Sequence, residues 1–341
     1  MQGHVSILSV SPEAAAMIAS GGRISTMDGT ADEIYANSLS AGQEKNEKLI
    51  GKVLSSGHTS VLEHCYVNLS FENVSVLAEQ FLIEFRLASF TVKSRRYVDF
   101  SKAGYVSPVF TANVQMAIFE RTVESLFGTY DVLEAAGVPK EDARFVLPYC
   151  FCSNFFCSMN ARELVHVMNE LAYGRGSRIP ELRALGESLF AQCEQQIPFL
   201  AVRKPEAYRQ SDAFCLRQVQ LLTSKAPVTV LAAPQDAEGL ICGAYQLARG
   251  NVPQPLTKPE QTALLKALLA QPRKRELEQA SYTLLFGGLS LAALTHLTRH
   301  RMQALCAPNL LKSARYDRYV LPECFAVLRL QSSLLDAFRQ N

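Results

Sequence analysis

The sequence predicts an α/β (α+β) fold built as a tandem repeat whose second copy is truncated, and three observations predict it. In LEHCYVNLSF (Leu62 to Phe71), Cys65, Val67, Leu69 and Phe71 alternate with Tyr66, Asn68, Ser70 and Glu72, the period of a strand with one buried face. The run that follows, VSVLAEQFLIEFRLASF (residues 74–90), is rich in helix formers and predicts a helix of about four turns. Third, LEQASYTLLF (Leu277 to Phe286) repeats the first stretch. Each copy leads through an apolar helical segment to an SxRY ending, SRRY at Ser94 to Tyr97 and SARY at Ser313 to Tyr316. Matching landmarks in one order predict internal duplication, and a duplicated unit can build on itself the pseudo-twofold interface that a homodimer builds between chains.

In chain order, the first unit is expected over residues 1–205 and the second, incomplete one over 227–341. A connector at 206–226 joins them, entered through the polar KPEAYRQSD with Pro205. Within the first unit, Asn160 stands before AREL. Its side chain is placed to accept a backbone hydrogen bond at a helix start, with Glu163 reciprocating as in a capping box. In the helix so begun, Leu164, Val167, Met168 and Leu171 form an apolar side, while Asn160, Glu163, His166 and Glu170 form a polar one. Taken alone, that polar side reads as a solvated face. The second unit has no counterpart of residues 160–173.

Bulk properties exclude several function classes. The 341 residues suffice for two domains, and 48% hydrophobic residues with 18 Gly and 15 Pro is ordinary globular composition. Lys plus Arg number 34 against 32 Asp plus Glu, a formal charge of +2, so neither a nucleic-acid stripe nor a polybasic membrane patch is implied. Lacking a long apolar run or a signal-peptide start, the chain is expected in the cytoplasm, away from membranes. The nine cysteines include Cys150, Cys152 and Cys157 in YCFCSNFFC, which follow neither a redox CxxC nor a zinc spacing. They read as buried free thiols. His58 and His64 are not spaced as in HExxH, so no metal is expected. Basic residues must act locally, and one dense group is Arg299, His300 and Arg301 in LTHLTRHRMQALCAPNLLKSARY.

HTSVLEH (His58 to His64), SRRY, ARFVLP (Ala143 to Pro148) and NARELVH (Asn160 to His166) together resemble the flavin-dependent thymidylate synthases. The pattern of that family runs HxSxxEH, an apolar strand and helix, RHR, seven residues, then SxRY. The resemblance covers most of residues 50–200 and the core of the second unit. It implies an α/β domain with a mixed or largely antiparallel sheet, assembled as a homotetramer with sites between subunits. It implies transfer of a one-carbon unit from methylenetetrahydrofolate to C5 of dUMP, using FAD and a reduced nicotinamide such as NADPH, without a cysteine nucleophile. Carried over residue by residue, it implies that Ser60, Glu63, Asn160 and His166, with Arg299, His300 and Arg301, hold the flavin. Gln80, Arg96 and Arg144 would hold the pyrimidine nucleotide, joined by Arg315 of the second unit. Ser94, Arg96 and Arg144 would serve catalysis, Ser94 by positioning substrate rather than by attack.

The pattern is broken in complementary places. At the RHR position the first unit has Glu84, Phe85 and Arg86, and Glu84 is expected to repel a phosphate or diphosphate. A further anchoring arginine of the family falls on Leu171. The second unit keeps RHR, but eleven residues, Pro308 among them, separate it from Ser313. The family serine would fall on Asn309, and Gln279 follows Glu278 where the pattern has EH. On a continuous helix, Arg299, His300 and Arg301 would point about 100° apart and could not address one atom. This division predicts a composite site in which Arg299 to Arg301 approach Asn160 and His166, and a homodimer that imitates a four-domain assembly. The sequence leaves open whether the approach is within or between chains. Two other readings fit the same residues: a flavoenzyme acting on a different pyrimidine nucleotide, and a non-catalytic nucleotide-binding or structural homologue.

Overall fold

The computed structural model describes residues 3–209, 227–307, 320 and 322–324. The chain opens with strand β1 (His4–Val10) and the helices α1 (Ala14–Arg23), α2 (Ala31–Ala41) and α3 (Gln43–Ser55). A 3₁₀ turn (Thr59–His64) leads into β2 (Tyr66–Ser75), α4 (Val76–Leu82) and β3 (Ala88–Val92). Next come α5 (Asn113–Ala135), α6 (Lys140–Ala143) with the 3₁₀ turn Arg144–Val146, β4 (Cys152–Asn160), α7 (Ala161–Ala172), α8 (Pro180–Gln196) and α9 (Pro205–Tyr208). The remainder holds β5 (Val228–Ala232), α10 (Ala237–Leu247), α11 (Lys258–Leu269), a 3₁₀ turn (Arg275–Gln279), β6 (Thr283–Phe286) and α12 (Leu291–Thr298). Contacts gather the described residues into two compact units, one formed by 3–209 together with those from 292 onward, the other by 227–291.

The first unit is built on a sheet of order β1-β2-β4-β3, antiparallel throughout, which makes the fold α+β. The alternation expected in β2 is present except at Ser70: Val67, Leu69 and Phe71 are buried while Tyr66, Asn68 and Glu72 are exposed, and Ser70, expected on the exposed side, is buried in the middle of the sheet between β1 and β4. Phe71 faces Phe155 of β4, and their rings stack at 4.7 Å. The same sheet face packs on Leu164, Val167 and Met168 of α7 and Leu185 and Leu189 of α8 in one core. Asn73, with φ of 53°, marks the bulge where the register of β2 against β4 shifts.

The single helix expected over residues 74–90 does not form. Ser75 caps α4 by accepting from the backbone N–H of Ala78 at 3.0 Å, the helix stops at Leu82, and Ala88–Val92 becomes an edge strand on β4. Its β-branched and aromatic residues Phe90, Thr91 and Val92 suit a strand, and pairing with residues 155–159 buries Ala88. The cap on α7 forms as expected, with Asn160 Oδ1 accepting from the N–H of Glu163 at 2.9 Å. No return bond from the Glu163 carboxylate closes a capping box among the described residues. Asn160 is instead the last residue of β4, paired with Tyr66. The supposedly solvated side of α7 is also covered at its start, since Asn160 and Glu163 are buried.

In the unit of residues 227–291, β5 and β6 form a two-stranded antiparallel sheet. The order 3₁₀ turn, strand, helix over Arg275–Gln279, β6 and α12 echoes the order over Thr59–His64, β2 and α4. No tandem copy of the four-stranded sheet occurs among the described residues. Cys65, Cys152, Cys157, Cys193 and Cys242 are buried free thiols, while Cys306 is exposed. No helix among the described residues is long and apolar enough to cross a membrane.

Candidate functional site

Helix α4 presents Glu79 and Gln80, both buried, toward α12. A buried amide needs partners for its oxygen and its nitrogen, and α12 supplies both. Thr295 Oγ1 donates to Gln80 Oε1 at 2.7 Å, and Gln80 Nε2 donates to Thr298 Oγ1 at 3.4 Å. Helix α12 ends at Thr298, so Arg299, His300 and Arg301 lie just past its C-terminus rather than on a continuous helix. The N–H groups of Arg299 and His300 close the last turn on the carbonyls of His296 and Leu297. Cations at this end also suit the helix dipole.

A cationic cluster gathers at this contact. The carboxylate of Glu79, 1% exposed, accepts from the guanidinium of Arg95, from Ser153 Oγ at 2.5 Å and from Arg299 Nη2 at 3.5 Å. Arg95 is 10% exposed, lies 5.4 Å from the Phe151 ring, and its Nε is buried without a hydrogen-bond partner. Arg96 pairs with Glu141 at 3.1 Å, and Arg144 donates through Nε to the Glu141 carbonyl at 2.8 Å. Burial, with Arg95 and Arg96 nearby, holds the Arg144 guanidinium below its ordinary value. Partial desolvation and the guanidiniums of Arg144, Arg299, Arg96 and Arg95 lower His296. Burial raises the Tyr149 phenol, which shares a hydrogen bond with Thr295. Glu79 thus joins Arg95 to Arg299 and Glu141 joins Arg96 to Arg144, and all four guanidiniums act electrostatically on the His296 ring, a local concentration of positive charge.

Of the residues expected to hold nucleotide, Arg96 and Arg144 meet at Glu141, while Gln80 lies on the contact of α4 with α12, next to Glu79, which bonds Arg299. Ser94 sits at the turn, its Oγ accepting from the N–H of Arg96 at 3.3 Å. Arg315 and Ser313 lie outside the described residues, as do Pro308 and Asn309. The residues expected to hold flavin form two groups. Ser60 and Glu63 lie in the exposed 3₁₀ turn beside α7, where Arg162 bonds the Glu63 carboxylate. Asn160 is used as the α7 cap, and His166 Nδ1 meets the Tyr208 hydroxyl at 2.9 Å with its ring against Phe85. The described bonds of Arg299 and Arg301 run to α4 and β3, not to Asn160 or His166: Arg301 donates to Ser89 Oγ at 3.4 Å, and Arg86 Nε donates to the Arg301 carbonyl at 2.9 Å. Glu84, expected to repel phosphates, pairs with Arg175 at 3.0 Å, and Arg175 also lies over the Phe81 ring. Leu171, in place of an anchoring arginine, is fully buried.

Sequence reasoning missed Glu79, Arg95, His296 and Tyr149. The doubled arginine of SRRY and a histidine one turn before Arg299 were visible signals; the partner of Glu79, 220 positions away, was not. An open hollow of about 510 Å³ on α11, lined by Lys258, Pro259, Thr262, Ala263 and Lys266, draws on one helix only. The arginine cluster, fed by several elements, has the chemistry that this concavity lacks.

The family described as Thymidylate synthase complementing protein matches residues 6–199. The chain is 29% identical over 256 residues to a flavin-dependent thymidylate synthase of Nitratidesulfovibrio vulgaris, spanning 72% of this chain and 96% of that one. It is 34% identical over 166 residues to a flavin-dependent thymidylate synthase of Geobacter sulfurreducens, spanning 48% of this chain and 70% of the other. Among solved structures, a UMP/dUMP methylase PolB from Streptomyces cacaoi bound with 5-Br dUMP superposes with a TM-score of 0.49 at 21% identity, covering 59% of this chain and 93% of that one.

Proposed function

The chain belongs to the flavin-dependent thymidylate synthase family, and from that premise we propose that it binds dUMP and methylates its C5, with FAD as cofactor. Methylenetetrahydrofolate would donate the carbon and NADPH the reducing equivalents. The observation that carries the reading is the cationic cluster in which Glu79 joins Arg95 to Arg299 and Glu141 joins Arg96 to Arg144, with Gln80 held against α12 beside Glu79, a donor set suited to a phosphate monoester dianion. Arg96 and Arg144 hold the phosphate, and Ser94 positions the pyrimidine. The guanidiniums favour the negative charge that develops on the ring carbonyl as the pyrimidine accepts carbon or hydride.

The residues present fit an anionic flavin dinucleotide. Arg86 and Arg301 are exposed cations with the exposed His300 ring between the two arginines of RHR, and pairing with Arg175 neutralises Glu84. These residues would hold the diphosphate, with Ser60, Glu63 and His166 on the neighbouring elements completing the contacts. When bound, FAD supplies the redox chemistry that no side chain here can.

A second reading, action on a different pyrimidine nucleotide, is favoured by one observation: the position of a further anchoring arginine is Leu171, turned into the core. Purified protein is expected to carry or acquire an oxidised-flavin absorbance with FAD. It should also transfer label from methylenetetrahydrofolate to dUMP when NADPH is added. Flavin binding with label transfer only to another pyrimidine monophosphate would establish the second reading. Failure to bind FAD or any pyrimidine monophosphate would leave a non-catalytic homologue.

A further inference from the structure

The aligned stretches LEHCYVNLSF and LEQASYTLLF are 215 positions apart. The same offset recurs between residues that touch. Thr295 stands 215 positions after Gln80 and donates to its Oε1 at 2.7 Å. Arg301 stands 215 positions after Arg86, whose Nε donates to the Arg301 carbonyl at 2.9 Å. When two equivalent elements meet about a twofold axis, residues nearest the axis contact their own equivalents, and this self-pairing marks an isologous interface. Away from the axis the partners differ, and here Glu79 meets Arg299 at 3.5 Å while Ser89 meets Arg301 at 3.4 Å. The offset came from the strand motifs alone, whereas these contacts lie on the helices and turns that follow, so the two observations are independent.

We propose that α4 and α12 form, inside one chain, the pseudo-twofold interface that two identical subunits would otherwise share, and that Arg299 of RHR is thereby supplied in cis to the anion site. Equivalent positions across it have specialised: Glu84 on one side corresponds to Arg299 on the other. Glu79 is the positioning residue of this arrangement. Its buried carboxylate bonds Arg95, from the segment after β3, and reaches Arg299, just past the end of α12, at 3.5 Å, so that Arg95 is held and Arg299 is drawn to the same carboxylate before any ligand arrives. Ser153 of β4 completes its hydrogen bonds. Removing Glu79 has two opposed effects: the local field becomes more positive, which by itself tightens any anion, and the orientation of two guanidiniums is lost, which weakens an anion that needs a defined geometry. The pseudo-twofold interface stands apart from the nucleotide reading; only the ligand of the assembled site rests on it.

Two measurements on the full-length chain test this. With paired cysteines at the self-equivalent positions, Gln80→Cys with Thr295→Cys, mild oxidation is expected to link residues 80 and 295 within a chain of monomer size, identified by peptide mass mapping. The exposed pair Arg86→Cys with Arg301→Cys gives the same reading should the buried pair disturb folding. The engineered link found only in a covalent dimer, or in neither pair, overturns the proposal. In the second measurement, Glu79→Gln is expected to weaken dUMP about tenfold in calorimetry while inorganic phosphate, the simpler anion, binds no more weakly than to the unaltered protein. Unchanged or tighter dUMP binding would reduce Glu79 to a charge offset and overturn its positioning role. If the unaltered protein binds no dUMP, the nucleotide reading fails, whereas the cross-link still decides the interface.

Discussion

His296 carries a ring whose proton is disfavoured by partial desolvation and by the guanidiniums of Arg144, Arg299, Arg96 and Arg95, although much of the residue is open to solvent. Its folded value therefore lies below the ordinary 6.5. Between the two values the unfolded chain binds more protons than the folded one. Stability accordingly rises with pH through the window just below 6.5 and declines as pH falls through it. Urea midpoints measured from pH 7.5 down to 5.5 should fall less steeply in His296→Gln than in the unaltered protein, and equal slopes would refute the assignment. A bound phosphate dianion offsets the guanidiniums and raises the ring, so dUMP binding near pH 6 should take up protons. Desolvation acts on thiols as well: the buried Cys65 is pushed up to about 11 and Cys193 to about 12, which fits inert core cysteines better than reactive ones, and the half-buried Cys150 is pushed up to about 11.

Helices α7 and α8 show how an element depends on one missing side chain. A Cβ at Gly186 would lie 2.8 Å from the backbone nitrogen of Ala172 and 2.8 Å from Leu171 Cβ, so the helices approach closely only because that position is glycine. Gly186→Ala should cost about 1–3 kcal/mol by overpacking, read as a lowered thermal midpoint; a stabilised variant would show that the helices can part without loss. The helix of residues 161–172 was legible because its apolar positions recur every three or four residues after a capping asparagine. Strand β2 was legible because apolar and polar residues alternate along it, even though Ser70 on its polar side is buried. The segment after it was not, because LIEFRLASF suits helix and strand alike, and only the open edge of β4 decides that Ala88–Val92 extends. Arg299 to Arg301 could be recognised as basic but not placed, since the helix stops one residue before them.

At the scale of the molecule, a net charge of only +2 means that the proposed anion site draws on local charge rather than on a general field. Affinity for dUMP should fall about tenfold between about 50 mM and about 500 mM salt, while deoxyuridine, lacking the phosphate, should show little dependence. A salt-independent dUMP affinity would show that the arginine cluster does not hold the phosphate. The sequence by itself determined the family, the sheet-forming and helix-forming periods, and which half carries SRRY and which carries RHR, because these are properties of local pattern and spacing. Only the tertiary structure decided that α12 packs with the first unit, that Glu79 joins Arg95 to Arg299, and that Arg175 neutralises Glu84. These depend on side chains up to 220 positions apart meeting, at Glu79 where burial makes an unpaired charge costly, and no local pattern records such a partner.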